Sequence, residues 1–164
     1  MSVEDLRQAL VGQMKNRAMM YYYIYKEASE DVGSEKAAAI LKRAIYKRGL
    51  DVGKKLAEYG PGDLKGLKDA FFEKVVPYDG SMFAPEVISC DSEELNIKFH
   101  SCPLKEAYLE AGLSEDETAT MLDIAAQVDY GTFEGAGFSF HAETWQPGKK
   151  GCCHLHVKPA DGKK

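Results

Sequence analysis

The polar chemistry of this chain gathers in its last third. All four histidines, His100, His141, His154 and His156, lie there with Cys102, Cys152 and Cys153. Side chains two apart on a strand share a face, so His100 and Cys102 read as neighbours at the end of one strand. On another strand, Cys152, His154 and His156 read as one face, and Cys153, Leu155 and Val157 as an opposite, core-like face. Three chemistries are open to these residue types. Zinc takes Cys and His, and His100-x-Cys102 with Cys152-x-His154-x-His156 offers enough ligands. No Cys-x-x-Cys pair and no His-Glu-x-x-His segment is present, however, so the spacing argues for no metal and no cofactor. Thiol chemistry is the second. Cys102 immediately precedes Pro103, which opens a helix, and a thiol at a helix N-terminus favours its thiolate; the alternative is a small buried hydrophobe. Cys90 has no such company and reads as structural. Asp129 is the third. It reads as closing a helix just before Gly131, where it is either a turn residue or a general base, or an anion that holds a cationic substrate.

The elements that must position these residues follow from periodicity. Leu6, Leu10, Met14 and Ala18 recur at helical spacing up to a stop at Asp31-Val-Gly33, and Ser34 is placed to cap a second helix with Ala38, Leu41, Ile45 and Val52 on one face. Gly49 and Gly53 weaken the end of that pattern. Gly60-Pro61-Gly62 is a stop, and Asp63 caps a third helix through Leu64, Leu67, Phe71 and Val75. The character changes near Pro77. Tyr78-Asp-Gly80 reads as a turn, and Glu86–Asp91 and Leu95–Ser101 as a strand hairpin. Pro103 opens a helix to Gly112, and Ser114-Glu-Asp-Glu117 is a capping box before Met121, Ile124, Ala125 and Val128. Residues 135–145 and 151–158 read as strands around the turn Gln146-Pro-Gly-Lys149. This predicts an α+β fold, with N-terminal helices packed on a small, mostly antiparallel sheet. A single domain over 1–164 is expected: a helical half 1–76, an α+β half 77–158 carrying the motifs, and a tail 159–164.

Length and composition agree. The chain has 164 residues, of which 45% are hydrophobic and 29% charged, a globular composition. A net charge of −5 argues against a general nucleic-acid binder. The longest apolar run, Ala18–Tyr25, is far short of the ~20 residues of a membrane helix, and the acidic start lacks a signal core, so a cytoplasmic protein with no membrane partner is expected. Residues 1–50 carry net +3 and residues 51–164 net −8, and all four arginines, Arg7, Arg17, Arg43 and Arg48, lie in the first 50. A guanidinium fork for an anionic substrate must therefore come from the N-terminal half. Four Tyr within Tyr21–Tyr25 form a wide packing surface, a homo-oligomer contact or a pocket wall.

The segment Phe99-His-Ser-Cys102-Pro103-Leu104, then Glu110-Ala-Gly-Leu113, Asp129, Thr144, Gly151 and Cys153-His-Leu-His-Val157 resembles the L-2-amino-thiazoline-4-carboxylic acid hydrolase family. The fit is sharpest over 95–157. Before Asp129 the stretch Ile124–Val128 lacks the Cys that many members carry there. The resemblance implies a hydrolase of cysteine biosynthesis that opens a small cyclic isothiourea to a carbamoyl-cysteine. Cys102, Asp129 and His100 would be catalytic; Thr144, His141, Cys153 or an N-terminal Arg would bind the substrate. The C-terminal hairpin is also similar to the small-molecule-binding domains named after vinyl reductase, some of which bind zinc. That likeness implies a non-catalytic ligand-binding or sensor module instead.

Overall fold

Three helices of this chain start where the sequence supplies a side-chain cap. The computed structural model describes residues 1–76 and 81–161; the turn expected at Tyr78–Gly80 lies outside them. Helix α1 (Val3–Val32) begins at Ser2, whose hydroxyl accepts from the Asp5 amide while the Asp5 carboxylate accepts from the Ser2 amide at 2.7 Å. Gly33, at φ +85°, breaks α1 from α2 (Ser34–Gly53). That backbone conformation favours glycine, so Gly33, and not the Ser34 side chain, makes the boundary. A 3-10 turn, Lys54–Tyr59, leads to α3 (Leu64–Lys74), capped by Asp63 onto the Gly66 amide. Pro103 opens α4 (Pro103–Glu110), and the Ser114–Glu117 capping box opens α5 (Glu115–Ala125).

Two expectations fail together at the next boundary. Residues 129–137 are not the end of a helix followed by a strand. A tight turn at Ala126 starts a separate helix, α6 (Gln127–Gly135), and Asp129 lies in its first turn. Strand β3 begins only at Phe138. The local glycines suggested a turn, but tertiary contact keeps this segment helical. Phe133 of α6 is fully buried and its ring lies 4.8 Å from that of Phe140 and 5.0 Å from that of Phe71.

Strands β1 (Pro85–Cys90), β2 (Leu95–Phe99), β3 (Phe138–Glu143) and β4 (His154–Pro159) form one antiparallel sheet in the order β1-β2-β4-β3. One face is apolar: Leu95, Ile97, Phe99, Phe138, Phe140, Leu155 and Val157 are buried against the helices. The other carries Asn96, His141, Glu143, His154 and His156, as the period-2 alternation of strands requires. The N-terminal stripe of α1 is less buried than its spacing suggests. Only Ala18 is in the core, and Leu6 is exposed.

Helices α2 and α6 touch backbone to backbone. A Cβ on Gly49 would lie 2.8 Å from the Gly131 Cα and overlap the Val128 carbonyl oxygen; one on Gly53 would overlap the Thr132 carbonyl, and one on Gly131 the Tyr46 carbonyl. Gly49 and Gly53, and Gly131 and Gly135, each repeat at i, i+4, which places both pairs on facing helix stripes. The glycines that weaken α2 as an isolated helix are the ones that let α6 approach.

Gly131→Ala should therefore lower unfolding free energy by about 2 kcal/mol or more, since the clash is with backbone. Gly12→Ala, in α1 with open space around it, should raise it by about 0.5–1 kcal/mol. Denaturant titration of the two variants checks both signs.

Candidate active site

Between the helices and the apolar face of the sheet lies a cavity of about 300 Å³, a size that holds a small molecule. It is lined by Cys102, Asp129, Cys152 and Cys153, by four cations, Arg17, Arg48, Lys55 and Lys74, and by apolar side chains such as Val52, Phe83, Phe99 and Leu122. Each cation comes from a different element: α1, α2, the 3-10 turn and α3. Asp129 and the thiols come from α6, the start of α4 and the chain just before β4. Two of the four arginines thus reach the cavity from the N-terminal half.

Cys102 is the N-cap residue of α4 and is buried. The hydrogen bond from the Cys152 thiol lowers its pKa, and the amides of Lys105 and Leu104 in the first turn of α4 act in the same direction; burial and the nearby Asp129 oppose them. A thiolate at this place is held by the partial positive charge of the helix start. Cys152 shifts the other way. As the donor beside Cys102 and Cys153, and buried, it stays a thiol. Its sulfur is 3.3 Å from that of Cys153. All four cysteines are free.

Burial raises the Asp129 carboxyl to about 7, and the Arg17 charge only partly offsets this. At neutral pH it exists in both protonation states, which suits a group that takes up and returns a proton.

The remaining expected site residues lie elsewhere. Strand β2 ends at Phe99 and the chain turns, so His100 and Cys102 do not share a face. His100 is exposed and pairs with Glu86 at 2.7 Å. His141 lies on the polar face of the sheet, its ring nitrogen 3.4 Å from the Tyr130 hydroxyl. Thr144 is half-buried and outside the cavity lining. Cys152 also departs from the alternation. Gly151 has φ +75° and regular pairing starts only at His154, so Cys152 turns into the core and away from the two histidines. The mixed Cys and His ligand set is therefore split across the sheet. Lys55 and Lys74 are cavity residues that sequence reasoning missed, and Cys152, read there as a candidate metal ligand beside the histidines, lines the cavity instead.

A family model described as L-2-amino-thiazoline-4-carboxylic acid hydrolase matches residues 13–157. No curated protein matches the chain.

The raised Asp129 pKa carries a stability consequence of definite sign. The folded state holds the proton up to about pH 7, whereas the unfolded chain releases it near 3.9. Ionisation is thus disfavoured only in the fold, and stability falls as pH rises between these values. Asp129→Asn should match the wild type near pH 4 and melt higher above pH 7, by up to about 4 kcal/mol or roughly 8–16 °C. Thermal melts across that range check the sign and the window.

Proposed function

The chain belongs to the L-2-amino-thiazoline-4-carboxylic acid hydrolase family, and from that premise we propose that its cavity opens the ring of 2-amino-thiazoline-4-carboxylate, or of a closely related heterocycle, to a carbamoyl-cysteine. The observation that carries this reading is one cavity holding a helix-start thiol, a carboxyl that titrates near neutrality and a ring of cations.

The substrate has two charged ends, and the cavity has a complement for each. Arg17 and Arg48 suit the carboxylate, since a guanidinium meets a carboxylate through paired hydrogen bonds; Lys55 and Lys74 add positive potential. Asp129 suits the amidinium-like head. The Cys102 thiolate attacks the carbon between sulfur and nitrogen. A sulfur–carbon bond forms, one ring bond to that carbon breaks, and the departing ring atom takes its electron pair and a proton from Asp129. Asp129, now ionised, takes a proton from water as the water oxygen attacks the same carbon. The Cys102–carbon bond then breaks and returns the thiolate. The balance is one water consumed per ring opened. The first-turn amides of α4 stabilise the thiolate at both ends of this cycle.

The test is incubation of the purified chain with L-2-amino-thiazoline-4-carboxylate, following carbamoyl-cysteine by mass spectrometry. Product above the buffer control is expected, with kcat/KM falling above about pH 7 as Asp129 loses the proton it donates. Cys102→Ser should lose about 1,000-fold or more, and Asp129→Asn about 100- to 10,000-fold. Arg17→Gln should raise KM by about 10-fold or more with kcat largely kept. Tight binding without turnover by folded protein would overturn the hydrolase reading in favour of a ligand-binding module of the vinyl-reductase type.

A further inference from the structure

On the polar face of the sheet a second constellation shares no residue with the cavity. His154 and His156 project from β4 and Glu143 from β3, and one ligand-capable atom of each lies within 4.8 Å of the other two. Their places are set by the pairing register. Glu143 is opposite His154, and His156 is flanked by His141 on one side and Asn96 on the other. We propose that His154, His156 and Glu143 bind a divalent transition ion of the zinc class, with a role separate from ring opening.

The hydrogen bonds around the three residues favour this. His156 is held between two carboxylates: Nδ1 lies 2.8 Å from Glu94 and Nε2 lies 3.1 Å from Glu143. With Nδ1–H donated to Glu94, the Nε2 lone pair is directed to the space shared with Glu143. A carboxylate behind the far nitrogen of a ligating histidine is the usual outer-shell arrangement at zinc. His154 is oriented in the same way, its Nε2 bonded to the Asn96 side chain, which leaves Nδ1 as the ligating atom. Two imidazoles and one carboxylate are a common three-ligand set for zinc, which completes its tetrahedron with water. The histidines are half-buried on a rigid strand and Glu143 is exposed, so an ion can enter without opening the core. Leu155 and Val157, which alternate with the two histidines, are fully buried on the other side of β4. The ion would thus tie β3 to β4 and, through Glu94, to the start of β2.

The thiols of the cavity are the competing zinc ligands, and the test separates the two. The full chain, produced without a histidine tag and stripped with a chelator, is titrated with Zn²⁺, and bound metal is counted after gel filtration. Co²⁺ absorption reports the donor atoms. The expected result is one ion per chain, with visible Co²⁺ bands and no strong thiolate charge-transfer band. The His154→Ala/His156→Ala double variant should bind at least about 100-fold more weakly, and Glu94→Gln about 10-fold more weakly. Cys152→Ser/Cys153→Ser should bind as tightly as the wild type. These histidines are on the surface, so circular dichroism can verify that the variants remain folded. Absence of stoichiometric metal, a thiolate band, or undiminished binding by the double histidine variant would each overturn the proposal. None of these outcomes depends on turnover.

Discussion

The contact between α2 and α6 is the constraint on which the site depends. Backbone meets backbone along Gly49, Gly53, Gly131 and Gly135, which draws the two helices closer than side chains would permit. Arg48 and Val52 ride on one helix and Asp129 and Thr132 on the other, and all four line the cavity. The spacing of the two helix backbones is set by main-chain atoms, which do not change rotamer, so the roots of these side chains are fixed by the fold. The same contact keeps residues 127–135 helical against their glycine content. It thereby puts Asp129 in a first turn, where the helix start favours its anion, while burial works in the opposite direction.

The cavity holds its polar groups in opposed pairs. Cys102 and Cys152 are joined by one hydrogen bond, which favours the thiolate on Cys102 and keeps the proton on Cys152. Asp129 and Cys102 repel each other as anions, so a proton on the carboxyl favours the thiolate. Proton position on one group is therefore linked to the charge of the other, and the surrounding cations set the potential in which both titrate. The apolar part of the lining strengthens each of these effects, because it screens charge less than water does.

Much of the fold was legible in the sequence because its signals are local. Asp63, Pro103, and Ser114 with Glu117 mark helix starts through signals within one turn. The α+β class followed from the change of hydrophobic period near residue 77. What failed depended on tertiary context. Gly131 was read as a turn residue, although its partner lies about 80 residues earlier in the chain. Alternation misplaced His100 and Cys152 because it holds only where strand pairing is regular, and both lie just beyond a strand end. Cys102 and Asp129 were recognisable as residue types with unusual local positions, and Cys153 through family likeness. Lys55 and Lys74 were not, since nothing about a lysine in a polar stretch reveals which cavity it faces.

The cavity is assembled from two lengths of chain with different assignments. The thiols and the carboxyl come from residues 102–153, whereas every lining cation comes from residues 17–74. On the proposed reading, reaction and recognition are thus written in separable stretches of sequence that meet only in three dimensions. Substitution along α1, α2 and α3 can change which anionic molecule is held while the reacting groups keep their places. On that reading, a change in the first half would be a change of substrate vocabulary under a constant chemical grammar, and likeness in the second half would report the grammar alone.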